Sequence, residues 1–256
     1  MIPRKRFGQH FLHDQAVIAR IVAAIAPQRD EHLVEIGPGL GALTLPLLKC
    51  IPAMDAVEID RDAIRELRSK TTPETLRIHE GDVLKFDIAT LRTEQPLRLV
   101  GNLPYNISTP LLFHLIAQRE HIRDMHFMLQ KEVVDRMAAE PDTEAYGRLT
   151  IMLAPWVRVE SLFDIGPGAF RPPPRVVSSV ARLTPHATAP FKIVNQDIFA
   201  QIVAAAFAQR RKTLRNALKK LLPAAAIERA EIDPNARGET LSPAQFAALA
   251  AQHTVP

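Results

Sequence analysis

Glu35-Ile-Gly-Pro-Gly-Leu-Gly41 lies between a short apolar run, His32–Ile36, and an apolar-periodic stretch, Ala42–Cys50. A glycine loop that joins a strand to a helix brings backbone close to a nucleotide-like ligand at the edge of an open α/β sheet. Glycines permit the turn and put no Cβ between the main chain and the ligand, so Gly37 and Gly39 are candidate cofactor contacts. The spacing is G-x-G-x-G, where dinucleotide folds use G-x-G-x-x-G. A tight structural turn is the other reading of the loop taken alone.

Outward from the loop the same rhythm repeats. Asp14 is placed to cap a helix over residues 15–26, whose Val17, Ile18, Ile21, Val22 and Ile25 share one face. The pattern predicts strands at Asp55–Ile59, Leu76–His79, Leu97–Gly101 and Met125–Gln130. Helices are predicted at Ala42–Cys50, Arg61–Lys70, Pro110–Gln118 and Lys131–Ala139. Such alternation builds a mostly parallel sheet covered by helices. Val157–Phe163 and Val176–Leu183 then alternate apolar and polar residues, as a closing antiparallel pair would, around the loop Phe170-Arg-Pro-Pro-Pro-Arg175. After Pro190 only helical patterns remain: Asp197–Ala208, Lys212–Leu222, Ala224–Glu231, and Pro243–Ala251 behind a Ser242 cap. The predicted fold class is α/β, a Rossmann-like seven-stranded sheet with a small all-helical C-terminal domain. The boundary falls near residue 187, giving domains 1–186 and 187–256.

Composition sets the outer limits. Hydrophobic residues make up 47% and charged residues 23%, so a packed core is expected and disorder is not. No apolar run approaches the ~20 residues that span a bilayer, and no apolar segment follows the basic N-terminus as in a secretory signal. The single cysteine, Cys50, forbids an intramolecular disulfide and sits in an apolar stretch, where a packed thiol is expected. A cytoplasmic chain without membrane contact is the reading. Nine histidines lack metal-ligand spacing, so no metal is expected, and His121 and His126 read as surface residues.

Two carboxylates follow the glycine loop at useful distances. Glu58 ends the next strand, where an acid meets ribose hydroxyls in nucleotide folds. Asp82, in Gly81-Asp82 after the third strand, is placed to accept an adenine amino group. Ribose with free hydroxyls suits S-adenosylmethionine and NAD alike. Asn102-Leu103-Pro104-Tyr105 then follows the strand Leu97–Gly101. An adenine amine is a poor nucleophile because its lone pair is delocalised into the ring. The side-chain oxygen of Asn102 and the carbonyl of Leu103 can accept its two protons and favour the positive charge that develops on nitrogen. Pro104 restricts its neighbour and fixes that carbonyl. Tyr105 offers a face for the base.

The chain resembles the ribosomal RNA adenine dimethyltransferase family, and within it the branch acting on bacterial small-subunit RNA. The resemblance runs through Lys5-Arg-Phe-Gly-Gln-His-Phe-Leu12, Glu35–Gly41, Val57-Glu-Ile-Asp60, Gly81-Asp82, Asn102–Tyr105, Phe170–Ser178 and Phe207–Asn216. It implies S-adenosylmethionine as cofactor, held by His10, Leu12, Gly37, Glu58, Asp82 and Asn102. In many relatives Asn occupies the position of His10. It implies that Phe170 covers the adenine opposite Tyr105, as enzymes working on flipped bases require. It also implies dimethylation of two adjacent adenosines in a hairpin loop near the 3′ end of small-subunit RNA. The partner would be that RNA within an immature 30S-type subunit, with the chain acting as a monomer.

Charge is asymmetric. Residues 186–256 hold nine Lys and Arg against five Asp and Glu, while residues 1–185 hold 23 of each. Either a polyanion contact or a solvated face explains this. Arg4, Lys5 and Arg6 at the N-terminus and Arg210, Arg211, Lys212 and Arg215 in the helical domain are the candidate RNA contacts, with Lys219 and Lys220 beside them. On a continuous helix Arg211, Arg215 and Lys219 would share a face. Alternative readings are a large-subunit rRNA methyltransferase of the same family and an assembly factor acting mainly by binding. The glycine spacing disfavours an NAD dehydrogenase.

Overall fold

A computed structural model of the chain describes residues 10–91 and 94–253. Among these, the elements run β1 (Phe11–Leu12), α1 (Gln15–Ile25), β2 (Leu33–Ile36), α2 (Thr44–Leu47), β3 (Met54–Glu58), α3 (Arg61–Arg68), β4 (Leu76–Glu80), β5 (Leu97–Asn102) and α4 (Ser108–Ala117). They continue as β6 (Ile122–Gln130), α5 (Lys131–Met137), α6 (Arg148–Leu153), β7 (Val157–Ile165), β8 (Phe170–Arg171) and β9 (Ser178–Pro185). The last helices are α7 (Gln196–Phe207), α8 (Leu214–Ala217), α9 (Ala224–Arg229) and α10 (Pro243–Ala251).

Seven strands form one sheet in the order β4-β3-β2-β5-β6-β9-β7. β4 through β6 are parallel, and β9 runs antiparallel to β6, with Phe127 opposite Ala181. The predicted Rossmann-like sheet with an antiparallel edge is what the chain forms. Sequence order reverses between β2 and β5, the switch point outside whose carboxyl ends open sheets bind ligands. At that place β2 and β5 come close together. A Cβ on Gly101 would lie 2.5 Å from the Ile36 carbonyl oxygen, so only glycine fits.

The chain divides into two compact units. Among the described residues, the first comprises those within 10–134 and 159–185, and the second those within 135–158 and 186–253. The sequence-based division at residue 187 omits the excursion 135–158. Its reason is burial: Tyr146 and Ile151 join Phe199, Ile202, Val203 and Phe246 in the second unit's core, and the Tyr146 hydroxyl donates to the Leu241 carbonyl at 2.6 Å. Helix α6, which carries Ile151, was not expected from the sequence.

Local chemistry explains the element ends. Asp14 caps α1, accepting from the Ala16 and Val17 amides at 2.9 and 3.1 Å, and Ser242 caps α10 in a reciprocal box with Gln245. Expected helices at Ala42–Cys50 and Lys212–Leu222 shrink to the single turns α2 and α8. Leu214 and Arg215 donate their amides to the carbonyls of Ala236 and Pro234, an outside tie that interrupts helical pairing. Arg211, Arg215 and Lys219 therefore do not share one helix face. Arg210 is committed to Glu239 at 3.1 Å and to the Glu144 carbonyl. Arg211, Lys212 and Arg215 are exposed. Arg4, Lys5 and Arg6 lie outside the described residues.

Two other expectations fail. Cys50 is exposed, because α2 ends before it. His126 is 3% exposed, because β6 starts at Ile122 and carries that residue into the sheet.

Charges at the amino ends of the strands are paired with one another. Asp55 on β3 accepts from His32 (2.5 Å), Arg77 (2.7 Å) and His79 (2.7 Å). Burial pushes its carboxyl up, but these three partners outweigh burial and hold it well below the usual range. Arg98 on β5 likewise engages Asp124, Glu31 and the Ile25 carbonyl. At the carboxyl ends the sheet carries a cavity instead.

Candidate active site

The loops after β2, β3, β4 and β5, together with the β1 segment, surround a cavity of about 780 Å³, within the range of cofactor sites. His10, Leu12, Gly37, Gly39, Glu58, Asp82, Asn102, Leu103, Pro104 and Tyr105 all line it. Ten side chains or backbone positions scattered over almost one hundred residues of sequence thus converge on one hollow.

The glycine loop forms its floor. Gly37 and Gly39 adopt φ of +65° and +55°, a left-handed backbone that side chains rarely take. A Cβ on Gly37 would meet nothing within 4 Å, so this stretch of main chain faces open space. The Gly37 amide is tied to the Val57 carbonyl at 2.9 Å. Glu58, 7% exposed, accepts from the Gly39, Ile59 and Asp60 amides at 3.1, 2.8 and 2.8 Å. A carboxylate has about four acceptor sites, so roughly one remains for a hydroxyl. Burial raises its pKa against the pull of those amides. Asp82 uses one oxygen on the Leu84 amide at 3.0 Å. Its other oxygen accepts no described hydrogen bond.

The wall opposite carries the Asn-Leu-Pro-Tyr motif. Asn102 donates its amide nitrogen to the His10 carbonyl at 3.2 Å. Its Oδ1 takes no hydrogen bond among the described residues. The Leu103 amide donates to the Met128 carbonyl at 3.1 Å, which continues the β5–β6 ladder by one residue. No described hydrogen bond takes the Leu103 carbonyl. The Tyr105 hydroxyl lies 2.8 Å from Ser178 Oγ, and burial raises its pKa. Two acceptor oxygens and one anchored aromatic ring thus share a wall with the glycine floor.

Phe170 is not on that wall. It is 2% exposed and packs in the first unit's core with Leu12, Met128, Ile165 and Val180. The β1–β8 ladder pairs it with Leu12 and turns it inward, while the next residue, Arg171, reaches the cavity. Alternation along a strand decides this: neighbours point to opposite faces.

Other lining residues were not singled out from the sequence. Phe11 packs 3.6 Å from where a Gly39 Cβ would stand, and Lys49 and Arg171 bring positive charge to the cavity. Glu35 is 2% exposed and accepts from Thr44 Oγ1 at 2.6 Å. Burial pushes its carboxyl up to about 7, with Glu58 adding to the effect. A carboxylate flanked by Val34 and Ile36 was the available signal.

Comparison with known proteins places the chain in a family. Residues 3–254 match the family described as ribosomal RNA adenine dimethylase. The chain belongs to this family. It is 56% identical over 249 residues to the ribosomal RNA small subunit methyltransferase A of Thiobacillus denitrificans, covering 97% of each. Identity to the protein of that name from Laribacter hongkongensis is 54%, covering 98% of this chain and 96% of the other. A dimethyladenosine transferase of Plasmodium falciparum superposes with a TM-score of 0.79 at 25% identity, over 94% and 96% of the two chains.

As a member of the ribosomal RNA adenine dimethylase family the chain is an rRNA adenine dimethyltransferase, and S-adenosylmethionine is its cofactor. The cavity fits that molecule. Bare glycine backbone faces the space, and the carboxylates of Glu58 and Asp82 line it as hydrogen-bond acceptors, which suits a ligand with hydroxyl and amino groups. Among the described residues no helix is long and apolar enough to cross a membrane.

Proposed function

We propose that the enzyme dimethylates the exocyclic amines of two adjacent adenosines in a hairpin loop near the 3′ end of small-subunit ribosomal RNA. Its substrate is an immature 30S-type subunit, it acts as a monomer in the cytoplasm, and it contributes to ribosome biogenesis. Relatives named for the small subunit, similar end to end, support that target over large-subunit RNA.

One observation carries the chemistry: Asn102 commits its nitrogen to His10 and keeps Oδ1 without a partner on the cavity wall. Oδ1 and the Leu103 carbonyl accept the two protons of the adenine amine and hold the nitrogen on the line of attack. As nitrogen gains positive charge, both oxygens attract it more strongly, which lowers the barrier. Tyr105, anchored through its hydroxyl, gives the flipped base a stacking face. When bound, S-adenosylmethionine supplies a methyl group activated by its sulfonium, so no strong base is required. The alkylated amine releases its proton to water.

Glu58 would hold the ribose and Asp82 the adenine amine of the cofactor, with Gly37, Gly39 and Leu12 lining the same site. The exposed Arg211, Lys212 and Arg215 of the second unit would take RNA phosphates. Transfer of labelled methyl to isolated unmethylated small subunits tests the proposal, with primer extension locating the product. Stops at two adjacent adenosines near the 3′ end are expected. Methylation confined to large-subunit RNA, or binding without transfer, would overturn it.

A further inference from the structure

We infer that Ser178 is a positioning residue for the methyl acceptor: its hydroxyl tethers Tyr105 across the carboxyl edge of the sheet, so the stretch Phe170–Ser178 acts on the base through its last residue. The inference rests on the reading of Tyr105 as the face on which the flipped adenine stacks.

Topology brings the two residues together. β5 and β6 run parallel, and β9 runs antiparallel to β6 with Gln130 opposite Ser178. An antiparallel strand presents its first residue where its neighbour presents its last. β9 therefore begins, at Ser178, on the edge that carries the cavity, whereas a parallel strand would begin at the other edge. Tyr105 lies just past the end of β5. With β6 between β5 and β9, its side chain crosses the end of β6 to reach a residue 73 positions away.

Ser178 is a firm anchor. It is 0% exposed. Before it, the Val177 carbonyl accepts from the Lys131 amide at 2.9 Å. After it, the Ser179 hydroxyl donates to the Phe163 carbonyl at 3.2 Å. The Ser178 and Tyr105 hydroxyls are 2.8 Å apart. A buried hydroxyl without a partner is costly, so each holds the other in place.

The tether acts on the ring. Tyr105 is half-buried and lines the cavity in the turn between β5 and α4. Its backbone is held there, because its carbonyl accepts from Ser108 Oγ at 3.1 Å. With the backbone held at one end and the hydroxyl at the other, the long axis of the phenol is fixed. Without the hydroxyl partner the side chain can move to another staggered position, and the stacking face leaves the base. Phe170, at the other end of the same stretch, is packed in the core and cannot serve this purpose.

The test compares Tyr105→Phe, Ser178→Ala and the double variant with the parent enzyme. Methylation of isolated unmethylated small subunits gives kcat and KM. Calorimetric titration with S-adenosylhomocysteine reads the cofactor side, and thermal midpoints read folding. Each single variant removes one end of the same hydrogen bond, so each should lower kcat about three- to tenfold. Many other contacts set KM for the subunit, which should stay within about twofold of the parent's, as should S-adenosylhomocysteine affinity. The double variant should be no slower than the slower single one, because the bond is lost only once. Parental kcat in either single variant would overturn the inference. Tyr105→Phe leaves the buried strand untouched and decides the question if Ser178→Ala lowers the thermal midpoint. Losses that multiply in the double variant would also overturn it, since the two residues would then act separately. So would a fall in S-adenosylhomocysteine affinity that matches the fall in kcat, which marks damage to the whole site. A parent that fails to methylate small subunits would sink the proposed function and the tether with it, whereas a working parent with indifferent variants would sink the tether alone.

Discussion

The Gly39 amide donates to the Glu58 carboxylate at 3.1 Å, joining the glycine loop to the end of the neighbouring strand. This bond lets one acid serve two purposes: it shapes the loop and keeps an oxygen in the cavity. Glu58→Gln offers a single acceptor oxygen to three amides that now share two. We expect its S-adenosylhomocysteine affinity to fall at least about tenfold, or ~1.4 kcal/mol. Isothermal titration measures it, and unchanged affinity would remove Glu58 from the cofactor site.

Asn102→Ala deletes the oxygen that receives the amine and the nitrogen that holds His10. Turnover should fall by roughly 10²–10³-fold or more, while S-adenosylhomocysteine binding persists at least in part. Asn102→Asp keeps acceptors but places a carboxylate against the His10 carbonyl, so it too should be impaired. Single-turnover methylation of small subunits checks both variants. Near-normal rates in either would count against the amide's role.

Phe170 belongs to the core, so its loss should cost stability before it costs recognition. Phe170→Ala is expected to destabilise the protein by about 3–5 kcal/mol, read by urea denaturation. A stable variant with weakened RNA use would show that the ring works on the base after all.

Glu35 binds a proton more tightly in the folded chain than in the unfolded one. Its pKa rises from 4.5 to about 7, so the native state holds more protons between those values and stability falls as pH climbs through that window. The effect is at most ~3 kcal/mol. Glu35→Gln, neutral throughout, should lose less stability than the parent between pH 5 and pH 8. Parallel slopes in thermal denaturation across that range would contradict the assignment.

Arg211, Lys212 and Arg215 are exposed and lie within five residues of one another. Replacing all three with Gln should weaken hairpin RNA binding and flatten its salt dependence by about two to three units of log–log slope, with cofactor binding unchanged. Filter-binding titrations over a range of salt concentrations measure it. A slope equal to the parent's would place the RNA elsewhere.

The sequence by itself determined the seven strands of the main sheet, most of the helices, and the members of the glycine floor and the Asn-Leu-Pro-Tyr wall. Those features are local: hydrophobic period, a cap at Asp14, a turn that needs Gly37 and Gly39. What the sequence could not fix depended on partners distant along the chain. Phe170 turned inward because pairing with Leu12 set its face of β8. The basic stripe through Arg215 broke because Ala236 and Pro234 captured the amides of α8. Residues 135–158 joined the second unit because Tyr146 and Ile151 found their burial there. The state of Glu35 was likewise decided by its burial, with Glu58 adding to the rise against the pull of the Thr44 hydrogen bond, and the orientation of Asn102 by the His10 carbonyl, since proton affinity and amide orientation follow from the surroundings the fold assembles.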